Sequence, residues 1–467
     1  MITPVQSNPS SGTKGGGLFK TADGQNLFVT FALVTTLFLL WGFCNGMIDI
    51  LNKHFQNTLH INKFQSGFVQ FANYIAYFLM AIPAGMIARK FGYKGGILVG
   101  LVLIASGAFW FIPATSIGAY WAFLLGLFVI AAGMTCLETI ANPYTTVLGA
   151  PEHGATRINI AQSFNSVGWI LGPIVGGHFV FGGGNKDAGA VADTAASATN
   201  AIVATAGTVA DATNAVVTAT ANAATAAATT AANAGLYKPY LGVGIVVAIL
   251  IVVFALAYVP DLHAEEEVKS EAEGKGKKPL WQRWHFTFGV AAQFLYVAAQ
   301  TGIFSFFINY VVENDHSVSE QKASYWLGAI GFVLFLAGRV CGSAIISQFK
   351  PQRVLTTYAI LCLALTAVAM GGGKLGLYGL FGTFFFMSIM FPTIFALGIR
   401  GLGEHTKLAS SIIVMSIVGG AIAPPLMGHI ADISSMRMGF AVPLVCFVFI
   451  AIYGAVWQRL ENMDVET

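Results

Sequence analysis

Two carboxylates stand inside long apolar stretches of a 467-residue chain: Asp49, in Gly46-Met47-Ile48-Asp49-Ile50-Leu51, and Glu138, in Cys136-Leu137-Glu138-Thr139-Ile140. An isolated charge in hydrocarbon is expensive, so the chemistry such groups offer is a proton that comes and goes. At about 1.5 Å per helical residue, Asp49 falls toward one end of its apolar run and Glu138 nearer the middle of its own. A proton taken up at Asp49 can then be shared with the second carboxylate. Asn45 lies one turn from Asp49, and Asn142 one turn from Glu138, so each carboxylate has a candidate hydrogen-bond neighbour. Asp49 with Asn45 and Asn52 also offers oxygens to a sodium ion, a second possible coupling ion.

Neutral polar residues recur at helical spacing. Gln162, Asn165 and Trp169 share one stripe, at i, i+3 and i+7, and Gln293, Tyr296, Gln300 and Phe304 share another. An amide donates to and accepts from hydroxyls without carrying charge, and an aromatic ring packs on the C–H face of a pyranose. Two such stripes suit a neutral sugar, and these residues with Asn45 and Asn142 are the candidate substrate contacts. His178 and Arg339 fall near the ends of apolar runs, where a snorkelling or loop-anchoring role is expected. The Cys residues Cys44, Cys136, Cys341, Cys362 and Cys446 all lie in apolar segments without CxxC or Cys/His spacing. They read as packing residues, with no metal site expected. Neither a nucleophile–base pair nor a phosphate loop is present, so neither an enzyme nor a cofactor is expected.

The elements that carry these residues must be membrane helices. Only 10% of the residues are charged and 56% are hydrophobic, against roughly a quarter charged in a soluble domain, and the mean hydropathy is +0.70. The net charge of +3 is too small to suggest a nucleic-acid partner. With about 20 apolar residues needed per crossing, spans are predicted at 27–53, 64–88, 95–115, 119–149, 158–182, 237–259, 285–312, 323–347, 353–373, 375–399, 408–431 and 438–459. They form two sets of six, 27–260 and 284–460, between tails at 1–26 and 461–467. The charged segment 261–283, with Glu265, Glu266, Glu267, Lys275, Lys277 and Lys278, is the linker. Most of the 24 basic residues, Arg339 among them, fall on the side of both termini and the linker, which places that side in the cytoplasm. The Ala/Thr-rich stretch 186–235 has too little Leu, Ile or Phe to insert, and reads as an external low-complexity insertion.

Twelve spans split six and six suggest two bundles that rock around a midplane site. Gly85-Met86-Ile87-Ala88-Arg89-Lys90-Phe91-Gly92-Tyr93-Lys94 resembles the loop signature Gly-x-x-x-Asp-Arg-x-Gly-Arg-Lys of the major facilitator superfamily, with Ala88 in place of the Asp. The segments Trp41 to Leu51, Cys136-Leu137-Glu138-Thr139-Ile140-Ala141-Asn142-Pro143, Ala161 to Ser166 and Phe391-Pro392-Thr393-Ile394-Phe395 resemble the L-fucose/proton symporter family of that superfamily. Departures fall at Gly46, where the fucose transporter has an amide, and at Met390-Phe391, where it has Gln-Tyr.

The resemblance implies an all-α integral membrane protein of major facilitator fold, with twelve transmembrane helices. It implies protonation at Asp49 and Glu138, sugar contacts at Gln162 and Asn165, and proton-coupled symport of a hexose-type sugar such as L-fucose, galactose or glucose by alternating access. The partners expected are a sugar, protons and the lipid bilayer, and the protein is expected to work as a monomer in the cell inner membrane. A sodium-coupled or uncoupled hexose carrier is the alternative, and a non-transporting sugar sensor a further one.

Overall fold

The computed structural model describes residues 18–20, 25–149, 154–181, 236–260, 279–346, 348–402 and 406–465. The insertion 186–235 and nearly all of the tail 1–26 and the linker 261–283 lie outside the described residues. Hydrocarbon offers backbone groups no partners, so each segment satisfies its own as a helix. Among the described residues there is no strand, only a single bridge between Lys20 and Asn26.

Among the described residues eleven helices are long and apolar enough to cross a membrane, and one of them is long enough for two crossings. The helix Phe68–Ile117 has 50 residues, about 75 Å at helical rise against a hydrocarbon core of about 30 Å. It breaks at Gly92, whose φ of 67° is open to a residue without Cβ at little cost. The arms are α2 (68–91) and α3 (93–117), preceded by α1 (Phe28–Leu59) and followed by α4 (Tyr120–Val147), α5 (Gly154–Phe181) and α6 (Leu236–Leu256). The second set is α7 (Trp284–Ser305), α8 (Glu320–Ile346), α9 (Pro351–Gly371), α10 (Gly373–Ile399), α11 (Ile412–Ile433) and α12 (Ala441–Val465). The expected crossings are all present, several running a turn or more past their predicted ends.

Small residues let helices of the first set approach closely, the usual device where lipid gives no hydrophobic drive to pack. Gly42 and Gly46 on α1 face Gly168 and Gly172 on α5. A Cβ at Gly168 would stand 2.5 Å from the Phe43 nitrogen, and one at Gly172 would stand 2.7 Å from Gly46 Cα. This contact fixes the rotation of α1 and α5, and with it the direction of Asp49 and Asn165. At the end of this half that carries the N-terminus, Lys94 Nζ donates to the carbonyls of Ala255 and Ala257, each at 2.9 Å, closing the C-terminus of α6 with a cation. The basic loop at Gly92 is thus tied within its own half.

The halves meet most firmly at the face opposite the termini. The Asp432 carboxylate accepts from the backbone N–H groups of Lys63 (3.1 Å) and Phe64 (2.9 Å). Lys63 pairs with Glu313 at 2.8 Å, Asn57 donates to Glu320 at 2.7 Å, and Lys53 lies 3.5 Å from Glu320. Deeper in, Asn309 Nδ2 donates to Gln56 Oε1 at 2.6 Å.

Candidate functional site

Asp49 is 2% exposed. Gln70 of α2 donates from Nε2 to its Oδ1 at 2.8 Å. The Ser305 side chain, at the end of α7, approaches the same carboxylate from the other half, and Asp49 Oδ2 has no hydrogen-bond partner. Glu138 is half-buried on α4, with the Tyr77 side chain near it and Asn45 near Tyr77 in turn. One turn before it, Tyr74 accepts from Thr301 Oγ1 at 3.0 Å and feels the charge of both Asp49 and Glu138. The Tyr74 and Tyr77 rings are 6.2 Å apart between centroids. One face of α2, carrying Gln70, Tyr74 and Tyr77, thus runs from Asp49 toward Glu138.

The amides expected beside the carboxylates have other partners. Asn45 Nδ2 donates to the Trp41 carbonyl at 3.2 Å, and Asn142 Oδ1 accepts from Gln162 Nε2 at 3.2 Å. Asn45 thus bonds its own helix, and Asn142 is tied to α5.

A small cavity of about 60 Å³ opens between α5, α7 and α8, lined by Asn165, Ser166, Trp169, Gln300, Phe304, Phe332, Phe335 and Arg339. Asn165 is held by its own bond from Nδ2 to the Phe38 carbonyl at 3.2 Å. Trp169 leans on Phe304 and Phe332, with centroids 5.8 and 5.2 Å away. Amide, hydroxyl and ring groups from both halves, with a guanidinium among them, make a surface for the hydroxyl edges and C–H faces of a sugar.

Of the two predicted stripes, the structure brings Asn165, Trp169, Gln300 and Phe304 to this cavity. Gln293 and Tyr296 lie on the same side of α7 but are fully buried among helices, and the Tyr296 hydroxyl is spent on the Met387 carbonyl at 2.9 Å. Neither lines the cavity. His178 is exposed in the last turn of α5, as expected for a span end. Arg339 is a correction: it does not reach toward a loop but lines the cavity, its guanidinium carbon 5.2 Å from the Phe335 ring centroid. It drops out of the basic residues that mark one membrane side. Gln70, Tyr74, Tyr77 and Ser305 went unread as well. The first three repeat at i, i+4 and i+7, the same kind of signal that marks α5 and α7.

The family model for the Major Facilitator Superfamily matches residues 27–417. The L-fucose-proton symporter of Escherichia coli (strain K12) is 36% identical over 433 residues, covering 92% of this chain and 93% of that protein. The Glucose/galactose transporter of Brucella abortus is 32% identical over 447 residues, covering 94% and 97%. Among solved structures, the transporter FucP in the outward conformation superposes with a TM-score of 0.61 at 35% identity, over 92% of this chain and 99% of that one. The D-xylose-proton symporter, at 11% identity and a TM-score of 0.63 over 93% and 97% of the chains, shares the fold. The chain belongs to the Major Facilitator Superfamily and, within it, to the L-fucose-proton symporter family.

Proposed function

We propose that this protein is a proton-coupled symporter of a neutral hexose-type sugar. The observation that carries the reading is the buried Asp49, with one carboxylate oxygen unpartnered, set with Glu138 along the α2 face of Tyr74 and Tyr77, in a bundle whose halves enclose a cavity walled by amides and rings. Relatives named for L-fucose, glucose and galactose transport support the substrate class.

The bundles 27–260 and 284–460 move against each other about the cavity, with the linker 261–283 and both termini in the cytoplasm and the protein in the cell inner membrane. With the outer face open, Asp49 takes a proton and the sugar settles between Asn165 and Trp169 on one side and Gln300, Phe304 and Arg339 on the other. Gln162, Asn142 and Asn45 hold the first wall in register, while Gln293 and Tyr296 position α7. Closing the outer face would use the ties between the halves through Lys63, Glu313, Asp432 and Glu320. The proton then leaves through Glu138, the sugar is released inward, and the empty carrier returns. One chain contains the whole path, so a monomer suffices.

The test is uptake of labelled L-fucose, D-galactose and D-glucose into proteoliposomes, with and without an inward proton gradient in sodium-free buffer. Gradient-driven accumulation of one of these sugars is expected. Accumulation that needs sodium, or equilibration only, would replace the proton by the alternative couplings.

A further inference from the structure

A helix leaves its first four backbone N–H groups outside its own ladder, and in the turn Lys63–Ser66 that leads into α2 they are satisfied from two sources. Asn62 caps within its own half: its Oδ1 accepts from the Gln65 nitrogen at 2.8 Å, and Gln65 Oε1 accepts from the Asn62 nitrogen at 3.1 Å, a reciprocal capping box. The two N–H groups between them, of Lys63 and Phe64, go to Asp432 of the second half, one to each carboxylate oxygen. The outer end of α2 is therefore fully capped only while the halves are together at this face.

The approach that allows this is set one turn earlier on α11. Gly428 lies against the same two residues: a Cβ there would collide with the Lys63 carbonyl and stand 2.7 Å from the Phe64 nitrogen. One turn further back, Pro424 and Pro425 pack on Gly67, where a Cβ would stand 2.7 Å from Pro425 Cα. Gly428 and Asp432, at i and i+4, share one face of α11. The first lets the backbones touch, and the second bonds across the contact.

The ties at the rim are of another kind. Lys63 with Glu313, and Glu320 with Lys53 and Asn57, join side chain to side chain, and partly exposed pairs of this sort hold little because long side chains must be ordered to form them. Asp432 has a short side chain and bonds backbone already fixed by its own capping box. Hydrogen bonds to an ionised acceptor are also roughly twice as strong as neutral ones. When the halves part, both N–H groups and both oxygens pass to water, so the bond can break and re-form in each cycle.

Resting on the reading of the protein as a carrier whose halves move against each other, we propose that Asp432 is the positioning residue that holds the outer face shut, and that Gly428 provides the clearance it needs. The second half supplies the missing part of the α2 cap, which rewards closure of this face alone. Asp432 is not among the residues that line the cavity, so it acts on the movement of the halves and not on the sugar.

The test measures distances between spin labels on the full chain in proteoliposomes. The labels stand at Ile117→Cys, at the end of α3, and Met438→Cys, just beyond α11, both exposed positions, in a Cys341→Ser background that removes the exposed thiol. The readout is the ratio of the short-distance to the long-distance population. Asp432→Ala is expected to lower it roughly five- to thirtyfold, the factor two hydrogen bonds set, and Asp432→Asn, which keeps one accepting oxygen, about two- to fivefold. Gly428→Ala should lower it as well, while Gly242→Ala on α6, where a Cβ meets nothing within 4 Å, leaves it unchanged. Alanine is favourable in a helix interior, so both glycine variants are expected to fold. A wild-type ratio in Asp432→Ala or in Gly428→Ala overturns the proposal, as does less protein in the membrane with an unmoved ratio, the mark of a packing role. If Asp432→Ala does not reach the membrane, an unmoved ratio in Asp432→Asn overturns it in the same way. Uptake of labelled L-fucose, D-galactose and D-glucose on the same preparations separates the two levels. If wild type accumulates sugar under a proton gradient while Asp432→Ala keeps the wild-type ratio, only this inference falls; if Asp432→Ala moves the ratio while wild type accumulates none of these sugars, the symport reading falls and the role of Asp432 stands.

Discussion

The two halves share one architecture and divide the chemistry unequally. The first half holds both carboxylates within the spans, Asp49 and Glu138, and the α2 face that runs from one toward the other. The second half contributes Gln300, Phe304, Phe332, Phe335 and Arg339 to the cavity. Among its described residues the carboxylates Glu313, Asp315, Glu320, Asp432, Glu461 and Asp464 stand at or near helix ends. With the proposed proton site in one half and a wall of rings and cation in the other, coupling would depend on how the halves meet. Neither half can pair proton and sugar alone.

Substitutions that separate the two contributions give the largest effects where a proton site is removed. Glu138→Gln should abolish uphill accumulation while sugar exchange across the membrane continues. Loss of the folded protein instead would make Glu138 a packing residue. On the other wall, Arg339→Gln should weaken sugar binding about tenfold or more, the worth of a hydrogen bond to a charged group, and leave the proton-to-sugar ratio unchanged. Binding measured by calorimetry checks the first part, and proton flux alongside sugar flux the second. If Arg339→Gln uncouples proton from sugar at unchanged affinity, the division between halves is wrong.

Trp169→Ala should cost a smaller factor in affinity, roughly three- to tenfold, since one ring face is worth about 0.5–1.5 kcal/mol beyond its area. The smallest effect belongs to the rim. Glu320→Gln removes the pairing with Lys53 but leaves an amide oxygen for Asn57, and a partly exposed pair is worth at most about 1 kcal/mol. Transport should change less than fivefold, about the factor such an energy sets. The effect should shrink further in high salt. A larger loss would make the rim a principal gate.

Much of this was legible before any coordinates. The twelve crossings follow from hydropathy and from where charge interrupts it, and Asp49 and Glu138 stand out because hydrocarbon makes them costly. What periodicity cannot supply is the rotation of each helix about its axis. Gln293 and Gln300 sit on one stripe of α7, yet only the second reaches the cavity, because the first is covered by neighbouring helices. Arg339 lies about two turns from the end of α8, within range of a snorkelling side chain. Its direction is set by Gly338, which lies so close to the Phe385 carbonyl that any side chain there would collide. The partners of Asp49 come from α2 and α7, distant in sequence, so Asn45 offered the wrong neighbour. The stripe Gln70, Tyr74, Tyr77 was readable by the rule that found the other two, whereas Ser305 carries no pattern of its own.

The central claim is that a proton on Asp49 drives the sugar. It is tested most directly by Asp49→Asn in proteoliposomes under an imposed inward proton gradient, with labelled sugar accumulation and counterflow measured on the same preparation. The account predicts counterflow without accumulation above equilibrium at any external pH. Accumulation at the wild-type level, with the wild-type pH dependence, would contradict it.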